Sequence, residues 1–183
     1  MTAETVHYSR VPSPVGTLLL AASARGLRIL HFDRGRLPHA SAGEVWIESP
    51  AALQPCVEQL EAYFQGVLRR FTVPLDLKGT EFQKKCWEAL CRIPYGKTCS
   101  YSDLAREVGR PQAFRAVGQA NHNNPVAIIV PCHRVIGATG SLTGYGGGMK
   151  IKEFLLRLEG AAGQGELKFG DETRLTAKSS RPA

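Results

Sequence analysis

Along the first third of the chain, apolar residues fall in short runs broken by turn residues; further on they recur every three to four positions. Thr5 to Ser9, Thr17 to Ala22 and Leu27 to Phe32 read as strands. Pro12, Pro14 and Gly16 punctuate the first gap, and Ala24-Arg25-Gly26 is tight enough for a hairpin in the second. Residues 33 to 50 hold Gly, Pro, Ser and charge and read as a surface loop. From Ala51 a helix is predicted, with Leu53, Val57, Leu60 and Phe64 at helical spacing and Gly66 placed to end it. Phe71 to Leu75 reads as a further short strand, and Asp76 to Gly79 as a linker.

Beyond the linker the pattern is helical. Thr80-Glu81-Phe82-Gln83 matches a capping box, opening a helix that buries Phe82, Cys86, Leu90 and Ile93 before Pro94-Tyr95-Gly96 stops it. A second helix is expected from about Ser102 to Val108, a turn at Gly109-Arg110-Pro111, and a third helix from Gln112 to about Asn121 with Pro111 pre-set for its first position. Such a pair is a helix-turn-helix candidate. A hundred degrees per residue puts Ala113, Ala116, Val117 and Ala120 on the buried side of the third helix, and Arg115, Gln119 and His122 on the other. Gly118 lets another backbone approach. A last helix, Lys150 to Glu159, would bury Ile151, Phe154, Leu155 and Leu158, with Gly160 as its stop.

Between the third and last helices lies the stretch that carries chemistry. Val126 to Val130 is an unbroken, β-branched apolar run, predicting a strand covered on both faces, and Pro131 ends it. Cys132 would then sit at the mouth of a buried element, with the base His133 and the cation Arg134 beside it. Neighbouring positive charge favours thiolate, the nucleophilic form of cysteine. A lone Cys-His pair is more often a core cysteine beside a surface histidine, so the rest of the chain decides. Six glycines and Tyr145 follow between Gly137 and Gly148, a flexible loop beside the candidate nucleophile.

Composition narrows the setting. The apolar runs are too short to cross a bilayer, and Met1 to Arg10 has no apolar core like a signal peptide's, so the expected compartment is the cytoplasm, or the nucleus of a nucleated cell. Five cysteines, odd in number and without Cys-x-x-Cys spacing, fit reduced thiols, and the five histidines form no cluster that argues for a metal. Net charge is +7, and residues 80 to 160 hold eleven Lys or Arg against six Asp or Glu. That block is where a polyanion would dock. Residues 161 to 183 are polar and are expected as a disordered tail.

Several motifs resemble, in order and spacing, those of the O6-alkylguanine-DNA alkyltransferases. They are Tyr101 in Ser-Tyr-Ser-Asp-Leu-Ala, Arg115 in Arg-Ala-Val-Gly, Asn124-Pro125, Pro131-Cys132-His133-Arg134-Val135-Ile136, Gly144-Tyr145, and Lys152-Glu153-Phe154-Leu155-Leu156 running to Glu159-Gly160. The resemblance implies an α+β chain. A small amino-terminal α/β domain, ribonuclease H-like, would span residues 1–77, and a helical, winged helix-turn-helix domain carrying the cysteine would span 80–160. It implies direct repair: a thiolate takes the alkyl group from guanine O6 in double-stranded DNA, once per molecule, with no cofactor and no metal.

The same resemblance implies the roles. Cys132 would be the acceptor, His133 the base acting through a water, Glu159 the group that orients the imidazole, and Asn124 a hinge. Arg115 would be the finger that enters the base stack, and Tyr101 the residue that crowds the target phosphate and then meets the base. Carbonyls of Cys132 and Val135 would read the exocyclic amine, and Tyr145 and Gly146 would close the pocket. Ala116, Gly118, Gln119, Asn121 and Lys152 complete the expected DNA contacts. The chain is expected to act as a monomer, with cooperative assembly on DNA left open. Gly146 stands where some members have serine, and Gln119 replaces a smaller residue. Three rivals differ by one feature each: a non-catalytic alkyltransferase-like protein lacks the cysteine, a Cys-His hydrolase leaves Arg115 and Tyr101 idle, and a plain helix-turn-helix regulator has no use for a nucleophile.

Overall fold

The computed structural model describes residues 3–161, so all of the expected tail but Ala161 lies outside the described residues. Four strands, β1 (Glu4–Val11), β2 (Leu18–Ser23), β3 (Gly26–Phe32) and β4 (Glu44–Glu48), form one sheet in the order β3-β2-β1-β4. The first three are the expected strands, antiparallel in sequence order. β4 runs parallel to β1 and lies within the stretch expected as loop. It is an edge strand whose Val45 and Ile47 stay half exposed, so it lacks the buried stripe that marks a strand in sequence. Helix α1 (Pro50–Phe64) packs on β1 and β2 and buries Leu53, Cys56, Leu60 and Tyr63.

Residues 71–75 do not form the expected strand. They run extended beside β3, joined to it by a single bridge from Leu75 to Leu27. Pro74 lies inside the run and has no N–H to extend a ladder. The segment is held by charge instead. Buried Arg28 on β3 bonds Asp76 (3.0 Å from Nε), Glu4 (2.8 Å) and Glu44 (2.8 Å), which ties β1, β3, β4 and the following connection together.

In the second half, α2 (Glu81–Cys91) starts at the expected capping box of Thr80 and Gln83. A second box, Ser100 with Asp103, opens α3 (Tyr101–Glu107), directly after β5 (Cys99–Ser100), which pairs in parallel with β6 (Val135–Ile136). α4 is Phe114–His122, two residues shorter at its start than expected. Pro111 sits in a turn closed by Ala113 N donating to Arg110 O, not at the first helical position. α4 packs on α2 and α3 through Val117, Ala120 and Asn121, and Trp87 Nε1 donates to Ala120 O at 2.9 Å. Ala116 was expected inside and is exposed, because the contact is only as wide as the Val117–Ala120 row.

The strand expected over 126–130 is absent. Its five residues are buried as expected, but they form tight turns, with Val130 N on Val126 O and Ile128 at φ +71°. Leu30 N donates to Pro125 O and Ala127 N to Leu30 O, so the run hooks the edge of β3 and then satisfies its own donors. An apolar run of five reports burial, and burial is shared by strands and core turns alike. The last helix, α5 (Met149–Leu158), buries Leu155, but Phe154 lies at the surface and Lys152 takes an inward position, fully buried.

Candidate active site

Cys132 opens a 3-10 turn, Cys132–Arg134, that follows the buried turns and leads into β6. The thiol is thus aimed by a tight turn and not by a strand end. Its sulfur lies 3.1 Å from Nδ2 of Asn124, which also donates to Val130 O at 2.8 Å, while Asn124 Oδ1 accepts from Val126 N. One amide therefore fixes both ends of the turn segment and links it to the end of α4. Burial pushes the Cys132 thiol up, and the Asn124 bond and the Lys152 ammonium pull against that rise. Arg134, expected as the cation that favours thiolate, is turned away onto Glu159 and Ile93 O.

Lys152 was expected at the DNA. Its ammonium is instead enclosed, donating to Val135 O at 2.6 Å and Thr143 O at 2.9 Å, and burial lowers its pKa to about 8. A buried cation must be paired or hydrogen-bonded, and here two carbonyls do it. Val135 O thereby has one partner, and Cys132 O has another in Val135 N. Each carbonyl keeps a second lone pair.

His133 is fully buried beside the cysteine, with Nε2 2.8 Å from Glu159 Oε1. Glu159 also accepts from Tyr63 OH (2.7 Å), Arg134 Nε (2.8 Å), Arg134 Nη2 (3.0 Å) and Gly96 N (3.2 Å). Despite burial, which pushes the other way, bonds from His133 and Arg134 hold its carboxyl far below the usual range. An ionised Glu159 accepts from Nε2–H, which leaves Nδ1 with its lone pair and without a partner among the described residues. Burial pushes the imidazole pKa down, with Glu159 opposing, so His133 rests neutral. Gly96 is required here: φ is +75°, and a Cβ would lie 2.6 Å from Glu159 O.

Tyr101, first residue of α3, faces Gly118 of α4, where a Cβ would stand 3.8 Å from its ring. Both line a cavity of about 330 Å³ with Asn121, Cys132, Tyr145 and Gly146. Arg115, Ala116 and Gln119 are exposed on the outer face of α4, and the Arg115 guanidinium lies 6.0 Å from the ring of Phe114. The structure thus brings Cys132, His133, Glu159 and Asn124 together, with Tyr101, Gly118, Asn121, Tyr145 and Gly146 around one opening.

Several residues of the site were not singled out from sequence. Tyr63 stands beside Phe64 on the apolar face of α1, and a phenol there reads as core. Phe114 is a large exposed apolar residue, 45% accessible, whose surface position only the true start of α4 reveals. The amino-terminal half also reaches the site. Phe32 packs edge-on against Tyr145 at 5.8 Å, and Arg34 Nη2 donates to Gly146 O at 3.3 Å. Among the described residues no group of three or more His, Cys, Asp or Glu is arranged to hold a metal, and no helix is long and apolar enough to cross a membrane.

Comparison with known proteins matches both halves. The profile described as 6-O-methylguanine DNA methyltransferase, ribonuclease-like domain, covers residues 6–77, and the one described as the DNA binding domain of the same family covers 81–161. A methylated-DNA--protein-cysteine methyltransferase of Methanosarcina acetivorans is 50% identical over 85% of this chain and 99% of its own. Its counterpart in Mycobacterium tuberculosis is 47% identical over 91% of this chain and 99% of its own. Among solved structures, Mycobacterium tuberculosis O6-methylguanine methyltransferase and Mycobacterium tuberculosis OGT in complex with DNA each superimpose with TM-score 0.78 at 50% identity, covering 85% of this chain and 93% of theirs. With the thiol, its histidine and carboxylate, and a helix-turn-helix in one connected arrangement, this chain belongs to the 6-O-methylguanine DNA methyltransferase family.

Proposed function

We propose that this protein repairs DNA by direct reversal, moving the alkyl group of O6-alkylguanine onto Cys132 and being consumed in the act. The observation that carries this reading is a thiol at an open cavity beside a neutral histidine whose Nε2 is committed to Glu159 and whose Nδ1 is unclaimed among the described residues. His133 Nδ1 takes the thiol proton through a water. The thiolate attacks the alkyl carbon, the C–O6 bond breaks, and guanine leaves with the electron pair and takes up a proton. The nearby Lys152 ammonium supports the negative sulfur. A thioether is not hydrolysed under ordinary conditions, so Cys132 ends as S-alkylcysteine.

The substrate atom lies inside a duplex, and the target nucleotide must be turned out to reach Cys132. In this reading residues 1–77 and 80–160 are the two domains, and α4 of the second lies in the minor groove. Arg115 fills the gap left in the stack. Tyr101 crowds the target phosphate and then meets the base. Ala116, Gly118 and Gln119 form the face nearest the DNA, and Asn121, Val135, Tyr145 and Gly146 surround the base. The protein works as a monomer on double-stranded DNA in the cytoplasm or nucleus. Sequence preference is slight, because minor-groove readout is degenerate and phosphates dominate affinity.

Intact-protein mass spectrometry after incubation with a duplex carrying one O6-methylguanine tests the reading. The expected result is the gain of a single methyl, abolished in Cys132→Ser; many lesions repaired per molecule would exclude it. Arg115→Ala should slow repair in duplex by about ten- to a hundredfold, the scale of losing part of the flipping energy. Transfer from free O6-benzylguanine should hardly change, and equal loss on both substrates would remove Arg115 from the stack.

A further inference from the structure

A second cavity, of about 380 Å³, is also lined by Cys132 and borders the first, but does not include Tyr101 or Gly118. It shares Cys132, Asn121, His122, Tyr145 and Gly146 with the first, and its far wall belongs to the amino-terminal half, including Arg34 and Arg36. Both arginines are exposed at the rim. Asp33, the acidic residue of that wall, already accepts from Arg10 Nε at 3.0 Å, so the wall keeps an excess of positive charge. The wall common to both cavities contains Asn121, 8% exposed, and neither Oδ1 nor Nδ2 of its side chain has a hydrogen-bond partner among the described residues. Buried amides are almost always satisfied, and one left bare beside a binding cavity is completed by what binds there.

Displacement at carbon needs sulfur, carbon and departing oxygen in line. The base occupies the far side of that line, on the Tyr101 side in the reading above. Anything attached to the attacked carbon must project sideways, beside the sulfur, and the second cavity, which Cys132 also lines, offers room for it. We infer that this cavity receives the substituent of the alkyl group and favours one ending in a carboxylate, as in O6-carboxymethylguanine, with Asn121 Nδ2 donating to it and Arg34 and Arg36 supplying charge. The step is the same displacement: the Sγ–CH₂ bond forms, the CH₂–O6 bond breaks, guanine takes the electron pair and a proton, and S-carboxymethylcysteine remains. Methyl, having no substituent, leaves the cavity unused.

This inference rests on the alkyl-transfer reading, and the test separates the two. Single-turnover transfer to the full-length protein is followed by intact mass for O6-methyl-, O6-carboxymethyl- and O6-propylguanine in one duplex sequence. Comparing the carboxymethyl-to-propyl rate ratio between variants cancels both the intrinsic reactivity of each lesion and any change in phosphate affinity. The ratio should fall about tenfold in Asn121→Leu, the scale of one lost charge-assisted hydrogen bond, and by several-fold in the double variant Arg34→Gln/Arg36→Gln. The arginine variant alters exposed side chains and decides the matter even if Asn121→Leu does not fold. A ratio within twofold of the starting protein in that variant overturns the inference while methyl transfer stands. Absence of methyl transfer in the unaltered protein overturns the underlying reading instead.

Discussion

Glu159 is the most heavily bonded side chain of the site, and its neighbours rank the consequences of changing it. In Glu159→Gln the Arg134 guanidinium stays buried opposite a neutral amide, and breaking a buried ion pair from one side costs about 3–5 kcal/mol. Tyr63→Phe removes one of five donors and should cost about 1–2 kcal/mol. Urea denaturation should order the two in that way; a Tyr63→Phe loss as large as that of Glu159→Gln would mean the phenol does more than donate. Cys132 carries a second prediction. Its sulfur sits 3.1 Å from the amide that clasps Val130 O, so converting it to a thioether disturbs that clasp. The alkylated protein should melt several degrees lower than the unmodified one. The cysteine, histidine and carboxylate were legible because their motif spells them out. Lys152 and Tyr63 were not, since a lysine reads as surface and a helix-face tyrosine as core until their partners from distant segments are seen.

At the scale of elements, α4 sets the most direct test. Gly118 is helical, and a Cβ there would make only ordinary contact with the Tyr101 ring, so nothing among the described residues demands glycine. Gly118→Ala should stabilise the fold by up to about 1 kcal/mol and, under the proposed docking of α4 in the minor groove, at the same time weaken binding to alkylated duplex, because the added methyl would stand on the face turned to DNA. A stabilised variant with unchanged DNA affinity would remove this face of α4 from the interface. Elements with strong local signals were readable: the capping box of Thr80 and Gln83 and the short apolar runs of β2 and β3, bounded by turn residues, both state their structure within a few residues. The turns at 126–130 were read as a strand because what sets them, the anchoring of Pro125 O and Ala127 N on Leu30 of β3, lies almost a hundred residues upstream. β4 was missed for the converse reason, its pairing partner β1 lying forty residues earlier and its own apolar residues facing outward.

The whole molecule should report its ion pairs in acid. His133 rests neutral with a lowered pKa, so the unfolded chain binds a proton near its ordinary 6.5 that the folded protein refuses, and stability falls as pH drops through that value. Glu44 is lowered to about 2, mainly by its bond to Lys78, and Asp76 and Glu159, despite burial, are held well below the usual carboxylate range by hydrogen bonds and arginine partners. Their contribution is complete above the ordinary carboxylate range and is lost as pH falls toward 2, so both effects have the same sign. Denaturation midpoints should decline gently below pH 6.5 and steeply below about 4.5; a midpoint constant from pH 6 to pH 3 would contradict the assignment. Tyr63 comes from α1, yet its hydroxyl completes the coordination of the carboxylate behind the nucleophile, and β3 anchors the chain that precedes Cys132. The half without a reactive group is accordingly scaffolding for the other: a fragment severed near residue 78 would keep the sulfur but lose part of the brace that orients its proton acceptor.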